Sequence, residues 1–217
     1  MTIQLLIGNK NHSSWSLRAW LALRHTGIAF EETVIELYVP GAKEKILAWS
    51  PMGKVPTIKD GDLHVWDSLS VLEYLAETFP DKQLWPADKA ARAHARSVSA
   101  EMHSSFGAIR REMPMDVRAT RPGLPMSQDC LADAARIEGI WTDCLKRYGG
   151  PFLFGGGFTV ADAMYAPIAY RFRTYGHDPK GAAADYMRHM LALPAMQEWE
   201  QAALKEPWVS ERLERRA

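Results

Sequence analysis

Val55-Pro56, reached through Ser50-Pro-Met-Gly-Lys54 and followed eleven residues later by Asp67-Ser68, narrows what the first third of this chain can form. Residues 56–59, a turn at Asp60-Gly61 and Leu63–Trp66 read as a hairpin, and Ser68 opens the helix behind it. A strand edge then lies beside a helix N-terminus, an arrangement suited to an extended peptide: the edge offers backbone N–H and C=O groups. The helix end takes a carboxylate onto its first N–H groups with help from the macrodipole. The same residues also serve an ordinary strand, turn and Ser-capped helix, so a ligand needs further signals in register.

The flanking stretches extend the hairpin into a mixed unit. Ile3–Gly8 reads as a first strand and residues 14–24 as a helix with an apolar face of Leu17, Trp20 and Leu21 and a Gly27 C-cap. Residues 30–37 make a second strand, residues 42–49 hold a short helix, and residues 68–79 close the unit as a helix. The order β-α-β-α-β-β-α is a thioredoxin-like pattern, with one right-handed parallel crossover and an antiparallel edge. Residues 80–87, with Pro80 and Pro86 among polar neighbours, form a linker.

Residues 88–217 read as helical. Asp88 caps a long helix running to Arg111, and Ser127 caps another that reaches Tyr148 and ends at Gly149-Gly150-Pro151. A third starts at Thr159, where Thr159-Val-Ala-Asp162 is a capping-box variant with Asp in the Glu position and Phe158 placed as a staple. The expected fold is therefore α/β plus all-α: an N-terminal thioredoxin-like domain, residues 1–79, followed by a C-terminal helical bundle domain, residues 88–217.

Charge and composition remove several function classes. Lys+Arg and Asp+Glu balance at 26 each, so no global field favours nucleic acid or an anionic membrane, and Arg212, Arg215 and Arg216 read as a solvated basic tail. No apolar run reaches the length of a membrane span, and the chain enters Ile3-Gln-Leu-Leu-Ile7 without the charged head of a signal peptide, which places it in the cytoplasm. Cys130 and Cys144 stand fourteen residues apart on one expected helix, too far to bridge. The seven histidines are scattered without a metal-binding spacing, so no metal is expected, and Gly155-Gly-Gly157 lacks the Lys-Ser/Thr of a nucleotide loop.

Asn11-His12-Ser13-Ser14-Trp15-Ser16-Leu17-Arg18 joins the first strand to the first helix, where thioredoxin relatives carry a Cys-x-x-Cys pair. The two slots here are Ser13 and Ser16, which cannot form a disulfide, so a bound thiol must supply any sulfur chemistry. With this serine cluster, the Val55-Pro56 and Asp67-Ser68 pairs and the Thr159-Val-Ala-Asp162 cap in a helical second half, the chain resembles the glutathione transferases over nearly its whole length.

The resemblance implies that Val55 pairs through its backbone with glutathione, the co-substrate, that Pro56 is cis, and that Asp67 and Ser68 meet the γ-glutamyl end. Lys54 would reach the glycine carboxylate. Ser13 would be the catalytic hydroxyl that stabilises the thiolate, with Ser14 and Ser16 as alternatives, and Arg18 reads as a structural support. The Ser-Ser-x-Ser-x-x-Arg segment is closest to the Ser-Ser-Cys motif of the zeta class, which includes maleylacetoacetate isomerases; Trp15 stands where that class has Cys. Conjugation to small electrophiles is accordingly favoured over cis–trans isomerisation, and a non-catalytic member acting in ligand binding or interaction is a third reading. The second-substrate pocket would be lined by Trp15, by Met102, His103, Phe106 and Arg110 on one broad face of the long helix with Met113 beyond it, and by Arg171. Arg171 and Arg173 are near, but out of register with, an arginine that zeta-class relatives use for carboxylate substrates. Relatives also imply a homodimer.

Overall fold

The structure, a computed structural model, describes residues 2–209; the basic tail of Arg212, Arg215 and Arg216 lies outside the described residues. Strand β1 (Ile3–Gly8) leads through residues 9–13 into α1 (Ser14–Thr26), then β2 (Phe30–Ile35), α2 (Ala42–Leu47), β3 (Thr57–Asp60), β4 (Leu63–Trp66) and α3 (Ser68–Thr78). The sheet order is β2-β1-β3-β4, with β1 and β2 parallel and the other two pairs antiparallel. This is the thioredoxin-like half read from the sequence, with the second strand two residues shorter than its apolar run. Residues 80–87, read as a linker from the sequence, contain a 3₁₀ turn, Pro80–Lys82.

The helical half contains α4 (Lys89–Ser104), α5 (Gly107–Glu112), α6 (Gln128–Tyr148), α7 (Val160–Tyr175), α8 (Ala182–Ala192) and α9 (Pro194–Lys205). The caps are those expected: Asp88 accepts from Ala91 N–H at 2.8 Å, Ser127 from Cys130 N–H at 3.1 Å, and Thr159 and Asp162 form the reciprocal box. Cys130 and Cys144 are free and buried in the continuous α6.

One expectation fails. The helix from Asp88 does not run to Arg111; it stops at Ser104, and Phe106 takes a left-handed conformation, φ 63°, that starts α5 on a new axis. The Arg110 guanidinium turns back to donate to the carbonyls of Met102 and Ser105, satisfying acceptors that the broken helix leaves over. Met102 and Phe106 therefore do not share a helix face with Arg110, and both are buried in the core with Met113.

One core joins the halves. Helix α1 packs between the sheet and α7, and of the sixteen α7 residues all but Arg173 are buried. Trp20, Trp141 and Trp199 are buried outright, and Trp20 meets Trp199 of α9 edge-on at 5.2 Å. The turn between β1 and α1 is thereby clamped between both halves.

Candidate functional site

Sheet register gathers the predicted residues. Leu6 pairs with Thr57, and Thr57 with Trp66, so the end of β1, the start of β3 and the end of β4 lie at one edge. From that edge emerge the Ser13 turn, Val55-Pro56 and Asp67-Ser68. The Val55-Pro56 bond is cis, and among the described residues neither the N–H nor the C=O of Val55 has a hydrogen-bond partner. Lys54 is exposed beside it.

The three serines are not equivalent. Ser13 caps α1, accepting from Ser16 N–H at 3.4 Å, and its hydroxyl donates to Ser16 Oγ at 2.7 Å. Ser16 is fully buried and also accepts the Gly8 N–H at 3.0 Å, so it ties the turn to β1. Ser14 accepts from Arg171 Nη2 at 3.0 Å.

Asp67 is the N-cap of α3, taking Leu69 N–H at 2.9 Å and Ser70 N–H at 3.4 Å on one oxygen. It sits at φ 73°, a conformation that a residue with a Cβ adopts at a cost of about 1–3 kcal/mol and that clusters at ligand sites. Its other oxygen is 3.4 Å from His103 Nε2, an ion pair when the imidazole is protonated. Ser68 is buried, and its hydroxyl accepts from Arg18 Nη1 at 3.4 Å, facing the interior; its N–H is the helix's unpaired first donor among the described residues.

Trp15 joins these parts. Arg18 stacks on the indole at 4.4 Å and Arg110 at 4.8 Å, with His103 edge-on at 5.3 Å. Arg18 also donates to Met164 O, and Arg171 to Met113 O. None of the three arginines has an ion pair with a carboxylate among the described residues. Burial, then Arg110, holds the Arg171 guanidinium down at about 9; burial, then Arg110 and Arg171, holds Arg18 well below its usual range, with Asp67 pulling the other way. Arg18 and Arg171 are buried without a directly paired carboxylate among the described residues, which is costly, and an anion brought beside them relieves that cost.

The supports behind the Ser13 turn have no signature in the sequence. Asn11 Nδ2 donates to Asp116 Oδ1 at 3.0 Å, Asn11 Oδ1 takes the Arg118 N–H at 2.9 Å, and Glu206 takes the N–H groups of Lys10 and Asn11. These partners are about a hundred or two hundred positions away, beyond the reach of any local pattern.

The sequence matches the family described as "Glutathione S-transferase, N-terminal domain" over residues 12–78 and "Glutathione S-transferase, C-terminal domain" over residues 89–202. The chain belongs to the glutathione S-transferase family. Similar curated proteins include a maleylacetoacetate isomerase from Mus musculus, 36% identical over 194 residues and 87% of each chain. A probable maleylacetoacetate isomerase from Caenorhabditis elegans is 30% identical over 172 residues and 78% of each chain. A glutathione transferase homolog from Lodderomyces elongisporus, solved with two GSH per subunit, superposes with a TM-score of 0.71 at 22% identity, covering 93% of this chain and 98% of that one. The glutathione transferase class read from the sequence, zeta-like branch included, thus stands. Among the described residues no group of three or more His, Cys, Asp or Glu could hold a metal, and no helix is long and apolar enough to cross a membrane.

Proposed function

We propose that this chain is a cytosolic, homodimeric, serine-dependent glutathione transferase. Residues 1–79 bind glutathione, residues 88–217 complete the electrophile pocket, and residues 80–87 link them. The observation that carries the reading is the Val55 backbone, unpaired among the described residues, at the same sheet edge as the Ser-capped α1 and the Asp-capped α3. An extended tripeptide pairs with Val55, its γ-glutamyl carboxylate lies on the Ser68 N–H, its ammonium meets Asp67, and Lys54 approaches its glycine end.

The sulfur then sits at the Ser13 turn. Ser13 turns its proton to the sulfur, and the Ser16 hydroxyl donates to Ser13 Oγ in its place, which preserves their 2.7 Å contact. Lowering a thiol from ~8.5 by about two units requires roughly 2.7 kcal/mol. One charge-assisted hydrogen bond at ~1.5–3 kcal/mol, with the α1 N-terminus behind it, is of that size. Trp15, His103, Arg110 and Arg171 receive the electrophile, and guanidiniums with no direct carboxylate partner among the described residues select one bearing an anionic or strongly polarised group.

Isomerisation of a maleylacetoacetate-type substrate is the second reading, favoured by the relatives of that name and by the same cationic centre. Calorimetric titration with glutathione tests the binding site and separates both enzymes from a non-catalytic carrier. Parallel assays of aryl halide conjugation and maleylacetone isomerisation separate the enzymes. Detectable conjugation with weak isomerisation supports the transferase; efficient isomerisation with no conjugation replaces it.

A further inference from the structure

The turn of residues 9–13 accounts for its backbone polar groups in an unusual way. Asn9 O takes the N–H groups of His12 at 3.2 Å and Ser13 at 2.8 Å, and His12 O takes Ser14 N–H at 3.0 Å. Asn11 O takes Val117 N–H at 3.2 Å, and Lys10 O takes Trp199 Nε1–H at 2.9 Å. The N–H groups of Lys10 and Asn11, two buried residues, both go to one carboxylate: Glu206 Oε1 and Oε2. That carboxylate stands just past the end of α9, where Arg118 grips the Glu206 carbonyl at 3.0 Å and the Trp208 carbonyl at 2.6 Å.

We infer that Glu206 is a positioning residue for Ser13, locking the turn from the end of the helical half. The catalytic part of this inference rests on the proposed glutathione chemistry. Without Glu206, two adjacent buried donors lose their only partner among the described residues, and the turn must open to reach water. Ser13 lies two residues beyond Asn11 and is fixed by the same turn through its N–H to Asn9 O. A turn free to open would misdirect the Ser13 hydroxyl while leaving Val55 and Asp67 untouched. The loss therefore falls on thiol activation and turnover rather than on glutathione affinity.

The test compares wild type, Glu206→Ala, Glu206→Gln and Arg118→Ala in the full chain. Amide hydrogen exchange at Lys10 and Asn11 should accelerate at least about tenfold in Glu206→Ala, a local opening that leaves α3 and α6 protected. The bound thiol should rise by about one pKa unit and kcat fall about threefold near pH 7 and about tenfold well below pH 6, with the glutathione KM changed by no more than about threefold. Glu206→Gln, which keeps one acceptor oxygen, and Arg118→Ala, which loosens the segment holding Glu206, should fall between these values, and either serves if Glu206→Ala fails to fold. Unchanged exchange at Lys10 and Asn11 overturns the lock whatever the ligand. Accelerated exchange with an unchanged thiol pKa and kcat overturns the positioning role. If wild type itself binds no glutathione by calorimetry, that failure belongs to the functional reading, and the exchange comparison still decides whether Glu206 holds the turn.

Discussion

Arg171 donates a hydrogen bond to the Ser14 hydroxyl at 3.0 Å, linking α7 of the helical half to the first turn of α1. The contact engages the Ser14 oxygen and leaves Ser13 as the capping hydroxyl beside Ser16. It also brings to the Ser14 turn a guanidinium that has no carboxylate partner among the described residues.

Arg171→Met should therefore separate electrophiles by charge. We expect kcat/KM for a carboxylate-bearing electrophile to fall about tenfold or more, the loss of one charge-assisted contact, with a neutral aryl halide changed less than about threefold. Burial holds the Arg171 guanidinium at about 9, so in wild type the preference for the anionic substrate should fade as pH rises through about 9. Equal losses for both substrates would show that Arg171 only supports packing.

Asp67 and Ser68 should behave differently when altered. Asp67→Asn removes the charge facing the ammonium and should weaken glutathione binding by about 1–3 kcal/mol. The Ser68 hydroxyl faces Arg18, and its outward group is the backbone N–H, so Ser68→Ala should cost less than about 1 kcal/mol of affinity. Calorimetry that found the larger loss in Ser68→Ala would mean that the hydroxyl turns to the ligand.

Acid titration should single out Asp162. Burial pushes its carboxyl up to about 6 from 3.8, against donors from Leu153, Thr159 and Tyr186. The folded value lies above the unfolded one, so the stability this group contributes is full below about 3.8 and is lost as pH rises through about 6, a change on the order of 3 kcal/mol. Asp162→Asn should remove that slope. It should also destabilise the chain by about 1–3 kcal/mol, because either amide orientation sets an NH₂ against a backbone N–H. Denaturant unfolding at a series of pH values checks both; an unchanged slope would reject the assignment.

What could be read from the sequence was local. The Thr159-Asp162 box, the Asp88 and Ser127 caps, the Gly27 C-cap and the hairpin each depend on residues within one turn of one another. The break at Phe106 was hidden because Met102, Phe106 and Met113 keep an apolar period across it, and the deciding partner, the Arg110 guanidinium on the Met102 carbonyl, acts only after the chain has turned. The inward orientation of Ser68 depends on Arg18, and the order of the Ser13 turn on Asp116, Arg118 and Glu206, all distant in sequence. Residue type and spacing pointed to the groups proposed to meet the ligand; the groups that hold them became visible only in three dimensions.

Which hydroxyl meets the sulfur is decided by ultraviolet titration of the bound glutathione thiolate. The thiol should titrate about two units below its free value of ~8.5 in wild type and rise by about one unit or more in Ser13→Ala, while Ser14→Ala stays within a few tenths of wild type. An unchanged value in Ser13→Ala with a raised one in Ser14→Ala would contradict the account and assign the activation to the Ser14–Arg171 pair.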